Sequence, residues 1–152
     1  MIDSLRIASV LTLTAGLGLA ASAPAAAFTL DLTLVEHADT DTVTDTGEKG
    51  DSVGDILTFN NEVFEDGKSA GRDNGWCVRT VVGKTWECFW TTMLADGQIT
   101  VEGPFLDSGD STLTVTGGTG NYAGASGEMK LHSRNDKGTE YDFVFHLTKG
   151  VL

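Results

Sequence analysis

Glu36 is the residue of this 152-residue chain best placed to move a proton. In FTLDLTLVEH, the alternation puts Phe28, Leu30, Leu32, Leu34 and Glu36 on one face of a strand and Thr29, Asp31 and Thr33 on the other. A carboxyl in phase with an apolar stripe loses hydration on burial. That raises its pKa and suits it to proton transfer or to steadying a developing cation. The competing reading ends the strand at Val35 and turns Glu36 into solvent. Asn61 poses the same question, because Leu57, Phe59, Asn61 and Val63 share one face. A buried amide must find hydrogen-bond partners, either in the backbone or on a ligand.

Cys77 and Cys88 flank a segment whose midpoint lies between Val82 and Gly83. A two-residue turn there places the two cysteines opposite each other. In an exported chain such a pair is more often oxidised than free. The alternative is two buried thiols behaving as small apolar side chains.

The elements that must position these residues are strands. Period-two alternation recurs in short runs separated by Gly, Asp and Asn, with no sustained helical period after residue 27. The candidate strands are Phe28 to Glu36, Ile56 to Phe64, Trp76 to Val81, Thr85 to Leu94, Gln98 to Phe105, Thr112 to Thr116, Glu128 to His132 and Thr139 to Leu147. Eight short strands predict an all-β sandwich or closed barrel. Asp39 to Asp55 is the longest polar connection and is expected to arch over one mouth. Trp86 and Trp90 share parity with Cys88, while Phe89 and Met93 take the opposite face, so this strand is expected to be buried on both sides, as an oligomer interface would do.

The ends and the charge limit the function classes. Arg6, the apolar run Ile7 to Ala21 and Ala25-Ala26-Ala27 read as a secretory signal over residues 1–27, followed by one domain over 28–152. The run is short for a bilayer span of about 20 residues, so no membrane insertion is expected after cleavage, and the product is secreted or periplasmic. The net charge of −12 repels phosphate backbones and anionic lipid heads, which argues against nucleic-acid partners. The aspartates Asp39, Asp41, Asp45, Asp51 and Asp55 read as a solvated surface. They do not match a calcium loop, and His37, His132 and His146 lack metal-ligand spacing, so neither metal nor cofactor is expected. Gly117-Gly118-Thr119-Gly120 lacks the lysine and the strand–turn–helix setting of a phosphate loop. It reads as a backbone corner needing positive φ.

Four segments carry a family likeness: LTVTGGTGNYAGASGE (Leu113 to Glu128), GDILTFNNEVFEDG (Gly54 to Gly67), NGWCVRT (Asn74 to Thr80) and GQITVEGPFLDSGDSTL (Gly97 to Leu113). In order and spacing they resemble the allene oxide cyclase barrel family and, more distantly, the plant dirigent proteins, over Glu36 to Gly150. The resemblance selects a closed, antiparallel, eight-stranded barrel with a mostly apolar cavity. It implies stereoselective intramolecular cyclisation or isomerisation of a small apolar, phenolic or lipid-derived ligand, or else non-catalytic, dirigent-like binding, in a homotrimer. Glu36, in LVE, falls where the cyclases carry a glutamate that assists epoxide opening. Asn61 and Cys77 fall on cavity positions, and Phe59, Trp90 and Phe105 complete the expected substrate-binding set. Arg79 would fill a dirigent-type role if Cys77, Arg79 and Val81 face inward. Two departures stand out: the cyclases' asparagine two residues after the glutamate is Ala38 here, and DTDTVTDTG (Asp39 to Gly47) has no counterpart of their Ser-Pro pair.

Overall fold

A computed structural model describes residues 28–149. The expected signal segment, residues 1–27, lies outside the described residues. The chain forms β1 (Phe28–His37), β2 (Thr42–Thr44), β3 (Ile56–Glu65), β4 (Lys68–Val81), β5 (Thr85–Leu94), β6 (Gly97–Leu106), β7 (Ser111–Gly120), β8 (Ala125–Ser133) and β9 (Glu140–Lys149). All pairings are antiparallel, in the order β1-β9-β8-β7-β6-β5-β4-β3-β2, and a further β1–β3 pairing closes the sheet. The result is an eight-stranded barrel in which β2 continues the wall begun by β1.

Closure sorts side chains by parity, because alternate residues face the interior. Leu34, Val63, Ile99, Val101, Leu113, Met129, Phe143, Phe145 and Leu147 form the dry centre of the core. Short turns hold the register. Asp66 and Gly67 both adopt positive φ between Glu65 and Lys68, the two-residue turn whose twist matches its flanking strands. The lower mouth of the barrel carries this turn and residues 95–96 and 121–124. The upper mouth carries residues 38–55, 82–84, 107–110 and 134–139.

Several expectations change. β4 begins at Lys68 rather than Trp76, so Asp73, in phase with Cys77, lies inside the barrel. The β4–β5 turn is three residues, Val82 to Lys84, with the register shifting past Thr80, yet Cys77 and Cys88 still face each other. They form a disulfide with Cα atoms 4.0 Å apart. The glycine corner is strand: β7 runs through Gly117 and Gly118, and among its four residues only Gly120 has positive φ. Gly118 is required by close approach instead, since a Cβ there would strike the backbone of Gln98 and the Tyr122 side chain. The aspartates are not simply solvated. Asp55 is buried and accepts from Thr46 N (3.0 Å), Ser52 N (2.8 Å) and Ser52 Oγ (3.0 Å), donors that hold its carboxyl below the usual range. The outer face of β5 is not covered within the monomer, where Phe89 stands exposed opposite the exposed Trp76 of β4.

Candidate functional site

The β1-to-β2 junction builds the site. β1 pairs with β3 up to His37↔Glu62, and β2 resumes at Thr42↔Thr58. Four residues, Ala38 to Asp41, therefore span the length that three, Phe59 to Asn61, span on β3, so the wall carries a one-residue bulge. Asn61 staples it. Its Oδ1 accepts from Thr40 N (3.0 Å) and Thr40 Oγ1 (2.8 Å), while its Nδ2 donates to Glu36 Oε1 (2.7 Å) and Asp41 Oδ1 (2.8 Å). The bulge turns Asp41, otherwise exposed, back toward the interior.

Asp73 of β4 lies directly across from Asn61 and is fully buried. Its carboxyl lies beside that of Glu36, near enough for each to act on the other's ionisation. Burial and the nearby Asp73 carboxyl push Glu36 well above the usual carboxyl range, against the lowering effect of the Asn61 amide. Burial likewise raises Asp73 to about 7 and raises Asp41 above its ordinary value. Two buried carboxyls in contact cannot both ionise cheaply, so the pair shares one proton near neutral pH. Neither Asp73 oxygen meets a donor in good hydrogen-bond geometry, although the backbone N–H groups of Asp73 and Asn61 lie close.

Glu36 opens onto an aromatic cavity lined also by Asp41, Leu57, Phe59, Cys77, Trp90, Phe105, Tyr141 and Phe143. Trp90 is the hub, with Phe59 edge-on at 5.8 Å and Phe143 tilted at 5.6 Å between ring centroids. Gly75, opposite Trp90, has no side chain because a Cβ would run into the Trp90 stem. The free space is about 30 Å³, room for a water molecule or two. Phe105 and Tyr141, 5.9 Å apart and T-shaped, separate this space from a polar basin of about 540 Å³ between residues 105–109 and 131–141.

A family profile described as the allene oxide cyclase barrel like domain matches residues 33–145. The chain belongs to that family. Among solved structures, pyocyanin demethylase is 29% identical, with a TM-score of 0.67 over 76% of this chain and 100% of the other. A pterocarpan synthase dirigent protein, 13% identical, superposes with a TM-score of 0.66 over 87% of this chain and 91% of its own. An exo-specific intermolecular Diels-Alderase, 14% identical, gives 0.63 over 80% and 98%. The last two likenesses speak to the barrel alone.

Within this family member, the residues singled out from sequence divide by position. Glu36, Phe59, Cys77, Trp90 and Phe105 line the cavity. Asn61 does not: its amide is fully used behind Glu36, with both donors and its acceptor engaged. Cys77 presents a disulfide sulfur, not a thiol. Arg79 does face inward with Cys77, whereas Val81 is exposed. The Arg79 guanidinium is held at the upper mouth by Asp107 (2.7 and 2.8 Å) and Asp51 (2.7 Å), over the Trp86 ring at 3.9 Å. Asp41 and Asp73 were missed. Asp73 was readable from parity with Cys77, once the strand is carried back through DNG.

Proposed function

We propose that this barrel holds a flat, largely apolar small molecule against its aromatic wall and shuttles a proton on it with Glu36, guiding an isomerisation or cyclisation. The observation that carries this reading is Glu36, backed by the buried Asp73, opening onto an aromatic cavity. A pair holding one proton can give it to one substrate atom and recover one from another, which leaves the molecule rearranged with no change in oxidation level. Asn61 acts as a positioning residue that fixes Glu36 Oε1 and Asp41. Confinement among Phe59, Trp90 and Phe143 supplies orientation. Pyocyanin is one molecule to test, because pyocyanin demethylase is 29% identical to this chain. The amino-terminal segment supports export from the cytoplasm, and the exposed, facing Trp76 and Phe89 support self-association, for which the family resemblance suggests a trimer.

Entry requires motion. The free space of about 30 Å³ is far below the roughly 300 Å³ of a small-ligand pocket, so Phe105 and Tyr141 must swing toward the outer basin. The same narrowness favours a second reading, a barrel filled by its own side chains and without turnover. The deciding experiment screens conjugated small molecules, pyocyanin included, by quenching of tryptophan fluorescence and by product analysis, for the wild type and Glu36→Gln. An enzyme keeps binding and loses turnover in Glu36→Gln. A carrier binds equally well in both forms and converts nothing, and a filled barrel binds nothing.

A further inference from the structure

Thr92 carries a hydroxyl where the core would accept a methyl group. On β5, Trp86, Cys88, Trp90 and Thr92 all point into the barrel, and Thr92 is completely buried. Its Oγ1 has no hydrogen-bond partner. Valine has nearly the same shape and would be free of the cost, because a buried hydroxyl without a partner loses its hydration and recovers nothing.

The strand register identifies the acceptor within reach. Thr92 lies directly across from Asp73 on β4 and from Ile99 on β6. Along β5 its same-face neighbours are Trp90 and Leu94, and the diagonal positions on β4 and β6 hold only glycine and valine. Trp90 offers an N–H, and the apolar neighbours offer no polar side-chain atom. The flanking backbone carbonyls belong to the β4–β5 and β5–β6 ladders. Asp73 is therefore the one side-chain acceptor next to the hydroxyl, since residues directly opposite in an antiparallel pair hold their Cβ atoms about 5 Å apart.

Burial raises both Asp73 and Glu36, but the donors around the two carboxyls differ. The backbone N–H groups of Asp73 and Asn61 favour the ionised Asp73, whereas Glu36 has the Asn61 side-chain amide. The charged or titratable groups facing Asp73 are Glu36 of β1 and Asp41 of the bulge, with Tyr141 of β9 beside Glu36. Arg79, farther along β4, is engaged at the upper mouth by Asp51 and Asp107. With that cation engaged elsewhere, a neutral donor is what can favour one acid over the other.

We propose that Thr92 is a positioning residue: turning about χ1, its hydroxyl donates to the Asp73 carboxylate and so places the proton held between the two acids on Glu36, the member that meets the cavity. This deepens the reading of Glu36 as the proton carrier and rests on it. The proton leaves Asp73 for a Glu36 oxygen, and Thr92 keeps its own. Glu36 then acts first as an acid. Once it has given its proton to the substrate both carboxyls are ionised, and Thr92 holds the Asp73 charge until a proton returns to Glu36 from another substrate atom.

The experiment needs no ligand. Carbon NMR follows the side-chain carboxyls of the isotopically labelled protein from about pH 4 to about pH 9, with Glu36→Gln and Asp73→Asn assigning the two signals. In the wild type Asp73 should titrate below Glu36. Thr92→Val and Thr92→Ala, one filling the space and one emptying it, both lack the hydroxyl and should raise the Asp73 midpoint by about one pH unit, the tenfold change expected on losing a hydrogen bond to a charged group. Thr92→Ser keeps the hydroxyl and should titrate like the wild type. If all three variants shift Asp73 alike, or none shifts it, the assignment to Thr92 is overturned, while a Glu36 that still titrates well above the ordinary carboxyl range leaves the proton-carrier reading standing. If Glu36 titrates within the ordinary range in the wild type, that reading falls and the positioning role falls with it.

Discussion

Asp73→Asn should stabilise this protein, and increasingly so as pH rises. Asp73 is fully buried and its carboxyl is raised from 3.8 to about 7, so the folded chain holds a proton there that the unfolded chain releases near pH 4. A carboxyl raised on folding contributes stability that is complete below its unfolded pKa and lost as pH climbs through its folded one. For Asp73 that window runs from about pH 4 to about pH 7. A displacement of about three pH units, at about 1.4 kcal/mol per unit, is worth on the order of 4 kcal/mol. Asparagine keeps the shape without the ionisation, so the difference in unfolding free energy between variant and wild type should grow by that order from pH 4.5 to pH 8. With a urea dependence of about 2 kcal/mol per molar, the midpoints should separate by roughly 2 M over the same range. Taking the difference removes the background from carboxyls remote from Asp73, such as Asp55, whose lowered pKa makes its own contribution vanish only toward acid pH, and the relief of Glu36 in Asp73→Asn adds to the effect with the same sign. Parallel stability curves for the two proteins would refute both the shared proton and the burial argument.

Two further outcomes are expected. Reduction of Cys77–Cys88, or the double serine variant, opens a loop with a sequence separation of 11 and should cost about 3 kcal/mol in the chain-entropy model, measured by urea unfolding with and without reductant. Light scattering at micromolar concentration should show an assembly rather than a monomer, and replacing the facing Trp76 and Phe89 by lysine should dissociate it; a wild type that is cleanly monomeric removes the interface.

The barrel was legible because closure and alternation act on every strand alike. Leu32 and Leu34 could not slip by one residue without losing their place in the interior, though Leu30, nearer the lower mouth, stands exposed, and the same constraint holds for Leu57, Phe59 and Val63. Local composition misled where a glycine stood for close packing rather than for a turn. Gly71 and Gly75 make DGKSAGRDNG look like loop, yet both lie within β4, and a Cβ on either would strike the β5 backbone or the Trp90 stem. Gly118 misled in the same way on β7. Such contacts are long-range and leave no trace in a window of ten residues.

The acidic part of the site was hidden for a different reason. An aspartate in a run of threonine and glycine reads as solvated, and Asp41 is indeed an exposed residue. What turns its carboxylate inward is the extra residue between His37 and Thr42, visible only when the β1–β3 and β2–β3 registers are set side by side. That extra residue lets Thr40 reach Asn61 with both its N–H and its hydroxyl, which fills the amide acceptor and leaves the two donors to Glu36 and Asp41. Asn61 thus exchanges ligand contact for command of two carboxyls. Glu36 is fixed by one donor only, at Oε1, so its other oxygen remains for Asp73 or for whatever enters the cavity. The bulge therefore does more than bend the wall: it decides that the group meeting the cavity is an acid backed by acids, and not an amide.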